Sequence, residues 1–167
     1  MRKIVIIAHD LRSTHNVGAL FRTADCFGVA HLYCSGYTPY PALSNDTRLP
    51  HIRDTLARQI DKPALGATKT VSGSYEPDIT ELLQTLTRDG YVLVGLEQTS
   101  HSLDISAWTP PDKIVLLLGR EVEGVDERLL HHCQSVIEIP QFGAKESLNV
   151  VQAAAIALYH IRFAPLQ

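Results

Sequence analysis

The chain has 167 residues, the size of one domain, and is long enough to bury about two-thirds of its unfolded surface. Its 15 Lys and Arg against 18 Asp and Glu give a net charge of −3, so overall charge alone does not indicate a nucleic-acid partner. The 3 cysteines lack metal-type spacing, and their odd number argues against a disulfide framework, so a reduced, cytoplasmic setting is predicted. We also expect neither a membrane span nor a signal peptide, because no apolar run approaches about 18 residues.

Strands and helices alternate in the predicted order of elements. We predict strands at 3–8, 30–35, 91–96, 114–118 and 136–139, with a weaker one at 69–72. We predict helices at 16–27, 51–60, 78–88, 125–132 and 148–162. This alternation indicates an α/β fold in a single domain over residues 1–167, with a mainly parallel sheet and helices on both faces. The irregular stretch 35–50 is a candidate lid over a substrate.

Three of the predicted strands end in loops that combine glycine with polar residues. The first strand leads to His15–Ala24, the strand 114–118 leads into Gly119–Gly124, and the strand 136–139 leads into Pro140–Asn149. In the last segment, Ser147 is predicted to cap the apolar helix 148–162 with its hydroxyl. Ligands of open α/β sheets bind at the carboxyl ends of the strands, so these loops predict one shared binding site.

The three loops together resemble the signature motifs of the SPOUT class of methyltransferases, in particular the TrmH (SpoU) family. The pattern Asn-x-Gly-x-x-x-Arg is matched by Asn16, Gly18 and Arg22, and the pattern Gly-x-Glu-x-x-Gly by Gly119, Glu121 and Gly124. The third motif is matched by Ile139, Pro140, Gly143, Ser147, Leu148, Asn149 and Val150. The resemblance implies a C-terminal deep trefoil knot and the AdoMet-dependent methylation of an RNA ribose 2′-hydroxyl.

The resemblance also implies where the cofactor S-adenosyl-L-methionine (AdoMet) binds. The knot would hold it largely through backbone groups, around Leu96, Gly119, Ile139 and Leu148. Glycine at 119 is understandable, because a side chain would prevent close approach of the backbone to a ligand. Arg120 stands where the family commonly has Asn, which affects expected cofactor affinity more than activity.

The catalytic residues implied by the resemblance are Arg22, Asn16, Glu121, Ser147 and Asn149, and no metal is expected. Arg22 acts either as a general base or as a cation that binds phosphate and stabilises the developing alkoxide. Asn16 is predicted to orient Arg22 or the ribose and to cap the helix 17–27. Glu121 is predicted either to anchor loop amides or to pair with Arg22. Ser147 and Asn149 are predicted to combine helix capping with contact to the cofactor or the ribose.

RNA is the implied partner, with tRNA favoured over rRNA and a catalytically silent RNA-binding relative as a further alternative. The stretch from Arg12 to Lys69 holds seven Lys or Arg against four acids, which predicts a local positive face. No separate RNA-binding domain is predicted. A dinucleotide-binding oxidoreductase is disfavoured, since Gly-x-Gly-x-x-Gly is missing after the first strand.

We further expect a homodimer that pairs through the helix 148–162, as the family does. The helix is rich in small apolar residues, which let another helix approach closely. Its predicted contact surface consists of Ala153, Ala154, Ala157 and Ile161.

Overall fold

The protein is described by a computed structural model that covers residues 1–165. The strands are Lys3–His9 (β1), His31–Ser35 (β2), Gly73–Glu76 (β3), Val92–Leu96 (β4), Leu103–Asp104 (β5), Lys113–Leu118 (β6) and Ser135–Glu138 (β7). The α-helices are Thr14–Cys26 (α1), Pro50–Ala64 (α2), Ile79–Arg88 (α3), Glu127–Leu130 (α4) and Val150–Phe163 (α5). Within this described part, no helix is both long and apolar enough to cross a bilayer.

All seven strands found in residues 1–165 lie parallel in one sheet, in the order β3-β2-β1-β6-β4-β7-β5. The central strand β6 pairs with β1 on one side and with β4 on the other, and Ile114–Leu118 are buried. Buried residues of α1, α2 and α5 pack on one face of the sheet, and those of α3 and α4 pack on the other. The predicted α/β class, with a parallel sheet and helices on both faces, is therefore confirmed.

Several predicted boundaries are wrong for local reasons. The weak strand predicted at 69–72 is displaced to β3, because a 3-10 turn at Ala67–Lys69 follows the left-handed residues Leu65 and Gly66. The two-residue strand β5 was missed, since it is too short to show periodicity. Helix α2 continues beyond the predicted end at residue 60 and includes Pro63.

Two predicted helix caps are also wrong. Helix α1 begins at Thr14, and its N-cap is Ser13, whose hydroxyl accepts a hydrogen bond from the Asn16 amide at 3.2 Å. Helix α5 is capped by Asn149, whose side chain accepts from the Val151 amide at 2.9 Å, so Ser147 is not the cap. The side chains of Asn16 and Ser147 are therefore not used as caps, and both lie in motifs near the candidate site.

The predicted contact surface of α5 is wrong as well. Ala154, Ala157 and Ile161 are 0% exposed, because this side of the helix packs on the sheet within the same chain. Large apolar side chains instead lie exposed on the opposite side of α5, at Ile156, Tyr159 and Phe163. The helix is amphipathic but very apolar, and its few polar residues, Gln152, His160 and Arg162, lie outside the buried side.

The candidate lid at 35–50 is held against β2 and β3. Arg48 donates to the carbonyl oxygens of Tyr40 and Pro41 at 3.0 Å and lies 3.6 Å from the centre of the Tyr40 ring. Tyr40 in turn stacks on Tyr75 of β3. The loop is thus internally braced, and none of its residues lines the cavity formed by the loops after β4, β6 and β7.

Candidate active site

A cavity of about 160 Å³ lies at the carboxyl ends of β4, β6 and β7. All four predicted cofactor residues line it. Leu96 ends β4, Gly119 and Ile139 directly follow β6 and β7, and Leu148 precedes the cap of α5. Because these strands are parallel and adjacent in the sheet, their carboxyl ends meet at one edge. Ser147 of the third motif lines the same cavity and is exposed.

Glycines 119 and 124 shape the loop after β6. The backbones of Arg120 and Gly124 exchange two hydrogen bonds, of 3.0 and 3.1 Å, which close the loop into a tight turn. A Cβ atom on Gly119 would overlap the Gly124 carbonyl and the Val125 amide. Glycine is therefore required here by the loop's own backbone, whereas the sequence suggested that the ligand requires it.

Glu97, which the sequence analysis missed, holds this loop from the end of β4. Its carboxylate accepts from the Val125 amide at 2.8 Å, and a Cβ on Gly124 would overlap the same carboxylate. Gly124 also has φ +74°, in the left-handed region. The signal in the sequence that could have identified Glu97 is its position as an acidic residue directly after a buried strand.

Residues from the three motifs form one hydrogen-bonded row. Asn16 donates through Nδ2 to Glu121 Oε1 at 3.1 Å and accepts at Oδ1 from Asn149 Nδ2 at 3.2 Å. An ionised carboxylate can only accept, so Glu121 determines which end of the Asn16 amide faces it. That choice leaves the Asn16 oxygen for Asn149. The row joins the start of α1, the β6 loop and the cap of α5.

Glu121 also accepts from the backbone amides of Arg12 and Ser13, each at 3.2 Å. Burial raises the pKa of its carboxyl, but hydrogen bonds from these amides and from Asn16 outweigh this effect, and the net pKa is lowered. Of the two predicted roles, the structure shows the anchoring of loop amides. Glu121 belongs to no ion pair found among residues 1–165.

Arg120 extends away from the turn toward β1. Its guanidinium lies 3.7 Å from Asp10 and 3.7 Å from Asp126, and Asp10 lies 3.3 Å from the His9 ring. Burial lowers the pKa of His9, and the charge of Arg120 lowers it further, against the opposing effect of Asp10. These contacts link the β6 loop to the end of β1.

Arg22 lies outside the cavity at the carboxyl ends of β4, β6 and β7. It is exposed on α1 and lines a second cavity, formed by α1, α2 and α5, that shares no lining residue with the first. The two cavities flank the first turns of α5, with Val150 and Ala153 facing the first and Val151 and Ala155 facing the second. Within one subunit, the structure does not bring Arg22 to the predicted cofactor residues.

The sequence profile of the SpoU rRNA Methylase family matches residues 3–159. The chain belongs to this family. The predicted membership is thereby confirmed, and the motif residues of the cavity all fall within the matched span.

The chain is similar to two curated RNA methyltransferases. It is 28% identical to TARBP1 of Mus musculus, a tRNA (guanosine(18)-2′-O)-methyltransferase, over 94% of this chain and 9% of that protein. It is 26% identical to RlmB of Neisseria meningitidis, a 23S rRNA (guanosine-2′-O-)-methyltransferase, over 95% of this chain and 58% of that one. The chain therefore spans less than two-thirds of the length of either relative.

The fold is similar to that of an AdoMet-bound rRNA methyltransferase from Sinorhizobium meliloti. The TM-score is 0.79 at 21% identity, covering 97% of this chain and 57% of that chain. At this identity the likeness shows a shared fold.

Proposed function

We propose that this protein is an AdoMet-dependent RNA methyltransferase that acts on a ribose 2′-hydroxyl. The observation that carries the proposal is the cavity at the carboxyl ends of β4, β6 and β7, which all four predicted cofactor residues line. Family membership and the 2′-O-methyltransferases among its relatives support the reaction class.

The cavity suits AdoMet in its chemistry. Its wall combines apolar side chains, such as Leu96, Leu118 and Ile139, with backbone groups of two tight loops. Apolar surfaces with a few well-placed polar groups are typical of nucleoside sites. At about 160 Å³ the cavity does not enclose a whole nucleoside, so the ligand would also occupy its open mouth. We infer that the segment around it is knotted, as the resemblance implies.

When bound, AdoMet would supply an electrophilic methyl group to the ribose oxygen. We infer that Arg22 acts as a cation that stabilises charge on that oxygen and on the neighbouring phosphate, because a guanidinium is a poor general base at neutral pH. Asn16, Glu121 and Asn149 act as positioning residues, since their hydrogen-bonded row holds the motif loops together. Ser147 is free to contact the ligand from the cavity wall.

We further propose a homodimer. Arg22 and the cofactor cavity lie apart in one subunit, so a second copy is needed to bring an arginine to the methyl group. The exposed apolar side of α5, at Ile156, Tyr159 and Phe163, is the proposed contact surface in place of the buried alanines.

Calorimetry with AdoMet and with its demethylated product tests the cofactor site. We expect about one site per chain. No heat at high micromolar ligand would refute AdoMet binding.

Methyl transfer from labelled AdoMet, followed by nuclease digestion, tests the reaction. The RNA would be tRNA and rRNA fractions from cells that lack this gene. We expect 2′-O-methylated nucleosides in one fraction, with tRNA favoured. AdoMet binding without transfer to either fraction would favour the silent RNA-binding alternative.

Arg22→Ala should nearly abolish transfer while AdoMet affinity stays unchanged. Arg88→Ala is the matched control, because Arg88 lies in the last turn of α3, on the opposite face of the sheet. Substantial transfer by Arg22→Ala would show that Arg22 is not catalytic. If Arg22→Lys restores most of the rate, charge alone suffices and the planar fork of arginine is not needed.

A further inference from the structure

The second cavity, between α1, α2 and α5, has features of an anion-binding site. Its volume is about 760 Å³, within the range of sites for small organic ligands. Two cationic side chains line it, Arg22 from α1 and Lys62 from α2, together with His15 and Gln59. No Asp or Glu is among its lining residues.

The acids nearest to these cations in sequence are turned toward another part of the surface. Asp25 accepts a hydrogen bond from Thr70 at 2.6 Å, and Asp61 accepts one from Thr68 at 2.7 Å. Both threonines belong to the turn that follows α2. Neither Arg22 nor Lys62 takes part in an ion pair found in the described part of the chain. The cavity therefore keeps two positive charges that no nearby acid compensates.

Three other basic residues of the predicted positive face are paired with acids. Arg48 is bound within its own loop, Arg53 contacts Asp54 at 2.7 Å, and Arg12 contacts Glu123 at 3.3 Å. Four basic residues of this face take part in no ion pair found in residues 1–165. Two of them, Arg22 and Lys62, line the α1–α2–α5 cavity, whereas Arg58 and Lys69 do not.

A close crossing of α1 and α2 creates this arrangement. A Cβ on Gly18 would overlap the Ile60 carbonyl and the Pro63 ring, so the two helices touch one turn before Arg22. Pro63 has no N–H, so the carbonyl of Gln59 lacks its usual helical donor. Gln59 lines the cavity with the two cations, and its side-chain amide offers a neutral hydrogen-bond acceptor.

We propose that the α1–α2–α5 cavity binds a phosphodiester of the RNA substrate, with Lys62 as the second cation beside Arg22. This inference rests on the proposed function and assigns Lys62 as a positioning residue. The single negative charge of a phosphodiester is shared by two non-bridging oxygens, so each cation can bind one of these oxygens, and a neutral acceptor can accept a hydrogen bond from a sugar hydroxyl. The site holds the RNA backbone, so it contributes to binding without reading the base sequence.

The salt dependence of RNA binding tests the role of Lys62. The probe is a mixed-sequence single-stranded RNA, and the variants are Lys62→Gln and a control, Lys3→Gln, at an exposed position that does not line the cavity. Loss of one phosphate contact should reduce the log–log salt slope by about 0.7. We expect this reduction for Lys62→Gln only, together with a raised KM for RNA and unchanged AdoMet affinity.

Cys26 provides a second readout in the unmodified protein, because it is exposed and lines the same cavity. Bound RNA should slow its alkylation by iodoacetamide at least several-fold. Cys34 is the internal control, since burial raises its pKa to about 12 and leaves it unreactive.

An unchanged slope in Lys62→Gln, or alkylation of Cys26 that RNA does not slow, would overturn the proposal. Methyl transfer by the parent protein in the same preparation separates this failure from a failure of the proposed function. If the parent transfers methyl groups while both readouts stay unchanged, only the phosphodiester site is wrong. If it binds no RNA at all, both proposals fail.

Discussion

Gly18→Ala tests the crossing of α1 and α2, because its local and tertiary effects on the free energy of unfolding have opposite signs. Glycine lies in the middle of α1, where alanine is favoured by about 1 kcal/mol on helix propensity alone. The added methyl group would overlap the backbone carbonyl of Ile60 and the ring of Pro63, neither of which can rotate away. Relief of the overlap requires α2 to move.

The expected cost follows from these two terms. Overpacking a well-packed contact costs about 1–3 kcal/mol, and a rigid backbone neighbour places this case near the upper end. Subtracting the gain in propensity leaves a net destabilisation of about 2 kcal/mol. For a domain of this size, that loss lowers Tm by about 4–8 °C.

Denaturant unfolding followed by circular dichroism measures the change in the free energy of unfolding. Gly143→Ala is the control, because a Cβ there meets no atom within 4 Å and its φ is not in the left-handed region. Methyl transfer should fall in Gly18→Ala, since the shift of α2 separates Lys62 from Arg22. A variant as stable as the parent, or more stable, would refute the close crossing of α1 and α2.

Three further predictions follow from the site and from α5. Gly119→Ala should weaken AdoMet binding at least tenfold in calorimetry, because its Cβ would open the turn closed by Arg120 and Gly124; unchanged affinity would show that the turn does not shape the cavity. Because the folded pKa of Glu121 is lowered, its stabilisation is present above the ordinary value of 4.5 and is lost as pH falls through the folded pKa. Glu121→Gln should therefore be about 1 kcal/mol less stable than the parent at pH 6. Chemical denaturation should show this difference shrinking as the pH falls below the ordinary value of 4.5; a constant difference would contradict the assignment. Ala157→Arg should unfold the chain, since this side of α5 is buried, whereas Tyr159→Arg should fold and give a mass near 18.5 kDa by light scattering. A folded Tyr159→Arg protein at twice that mass would exclude this side of α5 as the contact surface.

The strand ends and the loops after them could be predicted from the sequence. Glycine and proline interrupt the chain locally, and consecutive parallel strands must present their carboxyl ends at one edge. The resemblance to the SPOUT methyltransferases assigned Leu96, Gly119, Ile139 and Leu148 to one cofactor site without coordinates. The order and spacing of the three motifs were the signal for that assignment.

The partners of the polar motif residues were decided by the tertiary structure. Asn16 contacts Glu121 across 105 positions and Asn149 across 133 positions, and no local pattern encodes such pairs. The cap of α5 was equally undecided, since Ser147 and Asn149 are both favourable caps and only the path of the loop selects between them.

Packing determined the contacts of α5 and why residue 18 is glycine. The few polar residues of this very apolar helix orient it only weakly, and the sheet beneath Ala154 and Ala157 selects the buried side. Gly18 is needed because α2 crosses α1 there, a contact between segments more than 40 residues apart in sequence. The sequence by itself determined the order of elements and the loops that carry the motifs, because these depend on local backbone chemistry. The separation of Arg22 from the cofactor cavity depends on how the helices pack on the sheet, and only the tertiary structure decided it.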